Sequence, residues 1–472
     1  MTTPATSWPD QIGETSTNTT FSPGETPSLV VSSTTSTNPP GATPDPSAAI
    51  FPPGSLIERY MDFASEQLES ADCYIVGAFL PVLARCLGRK VWFPWGSERI
   101  YPNLFSILAG KPGDRKSSAI GLAQRLANFD VPDAGKVLPA SAFLTSSLSS
   151  EALFDEYDET KGGCSDKLLI EDEGNIFLGN ITKSQYGERV GTRLLSLYDC
   201  KPLAENFKRN TRDSEEEQPE GRRFIPETST SILLGATFNV ANFSGAEIRA
   251  GLQRRFIYYL AEEHGRFLAL PPQANTSELM GIAGRLWGIK SHSRGEFRFD
   301  DEAAELWTEI QRNNRRKLKA AQSEAEAGRL NGEPMHILKV GMLFTVSMQT
   351  SIIDHVITAP ILEYAARHVE HCNASAAYME TAGQKEGIKE KAEILLARIR
   401  ADFQSIIDSD GWITLSRSAI TAKYAAHPER RGGLTPYEIY TQLIPALCRQ
   451  QMARLVSKTG KAELWGFRSD GE

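Results

Sequence analysis

NLFSILAGKPGDRKSS, from Asn103 to Ser118, reads as a strand, a turn and the first residues of a helix. Leu104, Phe105, Ile107, Leu108 and Ala109 form an apolar run of the length of a buried strand, and Gly110 ends it. From Ala119 to Phe129, Ile120, Leu122, Ala123 and Leu126 recur at helical spacing. The turn between them follows the phosphate-loop pattern G-x-x-x-x-G-K-[ST], except that Arg115 stands where the second glycine is expected. Gly110 and Gly113 let the backbone turn tightly and aim N–H groups inward, Lys116 can reach the β- and γ-phosphates, and the Ser117 hydroxyl can ligate Mg²⁺. With Arg115 and Ser118 these are the candidate nucleotide-binding residues. The same stretch also suits a polar strand-to-helix turn that happens to contain Lys-Ser.

The chain of 472 residues exceeds the size at which single cores stop growing, so two or three domains are expected. Apolar residues at 40% and charged residues at 23% describe a soluble globular protein. Lys and Arg number 51 against 59 Asp and Glu, a formal charge of -8, so any nucleic-acid contact must come from local patches. The six cysteines contain no C-x-x-C pair, which argues against a structural zinc site and a disulfide framework. His368, His371 and Cys372 cluster in HVEHC, but inside a helical pattern and without a second ligand pair. With no run of about 20 apolar residues and no signal-peptide pattern at the N-terminus, no membrane span is expected and the cytoplasm is the default location. Residues 1–55 are rich in Ser, Thr and Pro and hold no Lys or Arg, which reads as a disordered tail.

Lys167 to Gly174, KLLIEDEG, is an apolar strand ending in consecutive acids, about 55 residues beyond Lys116. A carboxylate there can hold the water shell of Mg²⁺ and the next can polarise an attacking water, which assigns Asp172 to the metal and Glu173 to the water. Glu171 is the alternative one register earlier. This strand is expected directly beside the strand of the phosphate loop. Ser231 to Asn239, SILLGATFN, reads as a further buried strand next to the acidic one, ending in Thr237 and Asn239, a polar tip where a γ-phosphate sensor is expected, with Asn239 as the candidate. Arg254 and Arg255 precede the strand FIYYL and suit either an arginine finger lent to a neighbouring subunit or a surface ion-pair cluster. The charge-mixed run from Lys208 to Arg223 reads as a solvated hairpin or as a loop touching DNA phosphates.

Before the loop, residues 56–100 read as two helices and an aromatic hairpin around Trp92, Phe93 and Trp95, and residues 101–270 as the nucleotide-binding core. Residues 271–385 read as a helical lid: a charged helix from Glu302 to Ala327, an apolar one from Met335 to Met348, and one from Ala359 to Ala382 that Gly383 ends. Residues 386–472 follow a helix, helix, helix, hairpin order, with the hairpin turning at Gly460 and Lys461, which is a winged-helix pattern. From Ile388 to Glu472 there are 13 Lys and Arg against 10 Asp and Glu, which tilts this segment towards DNA, with Arg449, Arg454, Lys458 and Lys461 as candidates.

With the loop, the acidic strand, LLSLYD, SILLGATFN and GLQRRF in this order, residues Leu56 to Ala382 resemble a P-loop family of phage, plasmid and genomic-island replication proteins. That family is often fused to, or encoded near, primase-polymerase domains. The resemblance implies an α/β fold with a mostly parallel sheet, a RecA-like or AAA+-like ATPase core that binds ATP and Mg²⁺. It further implies a homo-oligomer such as a hexameric ring, helicase-like work on DNA, and a separate primase-polymerase partner. Lys116 and Ser117, Asp172 and Glu173, and Arg254 or Arg255 match the family's motifs, and Arg115 departs from them. A DNA motor or loader is one expectation; a nucleotide-dependent switch or DNA-binding adaptor with little hydrolysis is the other.

Overall fold

The computed structural model of the chain describes residues 50–146, 150–183, 185–206, 222–237, 251–261, 266–273, 275–349, 354–425, 434–459 and 462–469. Expectations for the N-terminal tail up to residue 49, for Asn239, for Lys208 to Glu217 and for the Gly460–Lys461 turn lie outside these residues.

The fold is mixed α/β around a five-stranded, all-parallel sheet. Its strands in chain order are β1 (Phe105–Ala109), β2 (Phe143–Leu144), β3 (Asp166–Glu171), β4 (Ser229–Ala236) and β5 (Phe256–Leu260), and their order in space is β5-β1-β4-β3-β2. Every residue of β1, β4 and β5 is buried, because helices cover both faces, and this is why these strands are mostly apolar without a polar face, with Ser106 and Ser229 to Ser231 as their buried polar residues. The two-residue period of a strand sends alternate side chains to opposite cores. Leu108, Leu233, Ile257 and Tyr259 join one core with the helix Asp72–Leu87, while Phe105, Ile107, Leu234 and Tyr258 join the other with the helix Gln185–Tyr198. The helix Asp72–Leu87 is buried from Cys73 to Leu87, and its Gly77 carbonyl accepts from Ser106 Oγ at 2.8 Å.

The acidic strand is not beside the loop strand. β4 lies between them, with Ile232 opposite Phe105 on one side and Leu234 opposite Glu171 on the other. The expected neighbourhood of SILLGATFN and KLLIE therefore holds, and the direct contact of β1 with β3 does not. The reason is pairing over distance: β4 pairs with β1 along five residues and with β3 along six, contacts that a local apolar pattern cannot specify.

The aromatic hairpin pairs Val91–Trp95 with Glu98–Ile100; Phe93 packs inward on Phe299 at 4.7 Å, while the exposed Trp95 lies edge-on to Trp307 at 5.9 Å. The charged helix begins at Asp301 under an Asp300 cap, but it stops at Ala320, short of Ala327. A new helix, Glu324–Met348, starts there because Ser323 Oγ accepts from the Glu326 amide while Glu326 accepts from the Gln322 amide, a capping pair. Gly383 does not end the next helix, which runs unbroken from Ala359 to Asp402. A glycine inside a helix costs only about 1 kcal/mol, and this helix is anchored at both ends. Leu362, Ala365 and Val369 sit in the first core, Ala376 and Met379 in the second, and Leu395 and Ile399 in a third, C-terminal core.

That third core is closed by a three-stranded antiparallel sheet in the order Trp412–Ser416, Ala462–Arg468, Ala453–Thr459, with helices Arg417–Tyr424 and Ile444–Arg449 against it. No helix among the described residues is long and apolar enough to cross a membrane.

Candidate nucleotide site

The turn after β1 is held in shape by its own backbone. Gly113 has φ +94°, and a Cβ on Gly110 would fall within 2.5 Å of Asp114 Oδ2 and against the Tyr74 hydroxyl, so the first position admits nothing larger than hydrogen. Tyr74 donates to the Ala109 carbonyl at 2.6 Å and accepts from the Ala261 amide at 3.2 Å, which ties the loop's entry to the chain leaving β5. The buried Asp114 accepts from the Lys111 amide and braces the turn from inside.

Arg115 is left-handed, φ 58° and ψ 24°, immediately before the helix Lys116–Ala127. The pattern asks for glycine here because this backbone region suits it; an L-residue accepts it at a cost of about 1–2 kcal/mol. The guanidinium does not turn to the loop's interior. It pairs with Glu69 at 2.8 Å, and Ser70 Oγ donates to the Arg115 carbonyl at 2.7 Å, so the connection between the first two helices clasps this residue from outside.

The helix N-terminus behind Arg115 carries no side-chain cap. Its first-turn amides, on Lys116, Ser117 and Ser118, have no acceptor within the helix, the arrangement that receives an anion. Lys116 folds back over the turn and donates to the Gly110 and Lys111 carbonyls at 3.1 and 2.7 Å. Burial lowers its pKa, while Asp114 and Asp172 act in the opposite direction and favour the charged form. A partly desolvated ammonium held over an uncapped helix end is a strong attractor for phosphate oxygens.

A cavity of about 400 Å³ opens above this turn. The loop lines one wall, including Gly113, Arg115, Lys116, Ser117 and Ser118, and Asp172, Glu173 and the tip of β4 line the other. The structure thus brings Lys116, Ser117, Asp172 and Glu173 to one space across the intervening strand. Glu171 does not line it; its Oε1 accepts from the Glu173 amide at 3.1 Å and so shapes the acidic turn.

At the tip, Thr237 is one of the two polar residues that the sequence marks at the end of the strand, and Asn175 is a partner that it does not mark. Asn175 Nδ2 donates to Thr237 Oγ1 at 2.6 Å, and the Thr237 amide donates back to Asn175 Oδ1 at 3.0 Å. This pair joins the acidic turn to the end of β4 and puts two polar side chains on the cavity wall. Thr237 stands at the strand tip, and Asn239 lies outside the described residues.

Arg254 and Arg255 stand elsewhere. They precede Phe256, which pairs with Phe105 at the start of β1, whereas the loop follows the other end. A strand of five residues separates these edges by about 15 Å. Arg255 is held by Asp199 at 2.8 and 3.3 Å and by the Gly251 carbonyl at 2.7 Å, while Arg254 is exposed. Neither can meet a phosphate in its own chain's cavity.

Within HVEHC, His368 is held by the fold. His368 Nδ1 faces the Ile50 carbonyl at 2.8 Å and Nε2 the Tyr259 hydroxyl at 2.9 Å, so both ring nitrogens are engaged. In the C-terminal sheet, Arg454 stacks on Trp412 at 4.0 Å, and Lys458 and Arg417 share Glu463 at 3.1 and 3.0 Å.

No protein-family model matches the chain, and no curated protein is significantly similar to it.

Proposed function

We propose that the chain is a P-loop ATPase in which the turn from Gly110 to Ser118 binds the phosphates of ATP and Glu173 directs water at the γ-phosphate. The observation that carries this reading is the single cavity shared by Lys116, Ser117, Asp172 and Glu173, residues contributed by two strands with a third between them. The amides of the helix start and Lys116 hold the phosphate oxygens. The Glu173 carboxylate orients the attacking water and takes its proton as the new bond to the γ-phosphorus forms and the bond to the β–γ bridging oxygen breaks, releasing ADP and phosphate. Thr237, fixed by Asn175, faces the same reacting group from the tip of β4.

Ser117 and Asp172 are hard oxygen donors on facing walls, which suits Mg²⁺, an ion that takes one or two protein oxygens and fills its octahedron with waters and phosphate oxygens. When bound it neutralises charge on the phosphates during transfer.

Arg254, exposed at the far edge of the sheet, can act only on a site in a neighbouring copy, so the reading includes a homo-oligomer with nucleotide at its interfaces. The C-terminal module, a winged helix in this reading, is the part offered to DNA. A protein-docking role for that module has support of its own: Leu455 and Val456 on its hairpin are 45% and 47% exposed, and Glu463 neutralises two of the nearby cations.

The test is ATP turnover with Mg²⁺, with and without single- and double-stranded DNA, beside titration calorimetry of ATP binding. Wild type is expected to bind and hydrolyse ATP, and Lys116→Ala to do neither. A wild-type chain that binds no ATP refutes the site; one that binds without turnover under all conditions leaves the nucleotide-dependent switch as the surviving reading.

A further inference from the structure

The cavity above the loop accounts for phosphates and for nothing else. Among the described residues its lining is made of Gly, Ser, Thr, Asn, Asp, Glu, Lys and Arg with Pro112 and Ala236, and these include no aromatic or branched apolar side chain. A nucleobase has a flat apolar face that these described residues do not match, which directs the search for its partner to the rim of the cavity. The acids and Thr237 mark the end at which the terminal phosphate reacts, so the nucleoside leaves by the opposite end, at Arg115.

There the chain presents an unusual segment. After β5, residues 266–273 (Arg266-Phe267-Leu268-Ala269-Leu270-Pro271-Pro272-Gln273) return over the connection between the first two helices. Arg266 pairs with Asp72 at 2.6 Å, and the Leu268 amide donates to Glu69 Oε1 at 3.1 Å. The second oxygen of the same Glu69 carboxylate holds Arg115 at 2.8 Å. Phe267 is therefore anchored on both sides, and one carboxylate separates its neighbour from the phosphate loop. Yet its side chain is 85% exposed, and that of Leu270 is 87% exposed. Other exposed aromatics among the described residues lie elsewhere: Trp95 against Trp307, Phe224 on the hairpin Leu203–Asn206/Arg222–Ile225, and Tyr437 in the C-terminal module.

We infer that Phe267, with Leu270 beside it, is the base-stacking platform of the nucleotide site, and that Glu69 sets its distance from the loop by holding Arg115 and the Leu268 amide together. This rests on the phosphate-loop reading and adds to it the residue that distinguishes a nucleotide from bare phosphate. Stacking tolerates any base with a π-face, so Phe267 favours nucleotides as a class, with no polar group to read the base edge.

The experiment compares titration calorimetry of ATP and of inorganic tripolyphosphate, each with Mg²⁺, on wild type, Phe267→Ala, Phe267→Tyr and Lys116→Ala. Because Phe267 is exposed, its substitution leaves the core intact. Phe267→Ala is expected to weaken ATP by about ten- to a hundred-fold, the range for loss of one base stack, and to leave tripolyphosphate unchanged. Phe267→Tyr is expected to retain wild-type affinity for both. If Phe267→Ala leaves ATP binding intact, or weakens both ligands equally, the platform is refuted, while loss of both ligands in Lys116→Ala still upholds the loop. A change in oligomeric state with unchanged ATP affinity would instead identify the segment as a contact between copies and overturn the inference. A wild type that binds neither ligand removes the loop reading and this one with it.

Discussion

Replacing Arg115 by Ala and by Gly tests the geometry of the loop through a sign. At an ordinary position glycine is less stable than alanine, because it adds freedom to the unfolded chain, by about 0.4–1 kcal/mol. Arg115 sits at φ 58° and ψ 24°, where a side chain costs about 1–2 kcal/mol that glycine avoids. Both variants lose the pair with Glu69, which is half-exposed on the arginine side and contributes about 0.2–1 kcal/mol. That loss cancels between them. What remains favours Arg115→Gly over Arg115→Ala by about 1 kcal/mol, the difference of the two backbone effects. Urea titrations read at the transition that unfolds the sheet, with equal slopes, should place the Gly midpoint above the Ala midpoint. An Ala variant equal to or more stable than the Gly variant would refute the left-handed assignment, and with it the reason the phosphate-loop pattern wants glycine there.

Glu173→Gln keeps the shape of the acidic turn and removes the proton acceptor; ATP turnover should fall by about 10² to 10⁴ with ATP affinity retained, and an unchanged rate would remove Glu173 from the chemistry. Asn175→Ala frees Thr237 from both of its hydrogen bonds; single-turnover kinetics should show kcat lowered about ten-fold or more with KM nearly constant, and a change confined to KM would mean that the pair only shapes binding. Burial pushes His336 down to about 3 and His368 down to about 4. Each folded value lies below the unfolded one, so the unfolded chain takes up the proton first. Stability is then complete above about pH 6.5 and is lost as pH falls towards 4, at about 1.4 kcal/mol per pH unit for each histidine. Urea midpoints at pH 7 and pH 5 should differ less in His368→Gln than in wild type, whatever the variant's overall stability; equal differences would show that His368 is charged in the fold.

The parts of the site legible in the sequence are those whose signal is local. An apolar run closed by Gly110 marks the loop, an apolar run closed by two acids marks Asp172 and Glu173, and a missing glycine flags Arg115 as the strained position. What escaped the sequence depends on pairing across long stretches of chain. Asn175 gains its role only because Thr237, 62 residues later, arrives beside it, and β4 enters between β1 and β3 by register with both. For Arg255 the sequence leaves an arginine finger and an ion-pair cluster open, because its partner Asp199, 56 residues earlier, cannot be seen in a linear pattern. The break at Ser323 was local and readable, since Ser and Glu three apart before a helical run form a capping pair. Gly383 misled because a stop signal worth about 1 kcal/mol competes with the apolar anchoring of a helix at both ends.

That helix has a mechanical meaning. Forty-four residues from Ala359 to Asp402 make a rod of about 66 Å at 1.5 Å per residue. A rod has no slack: tilting its sheet end by about 5° carries the far end sideways by about 6 Å at that length. In the proposed function, a small displacement at the sheet would reach the C-terminal module magnified by the length of this helix, the helix serving as the lever and the sheet as its fulcrum.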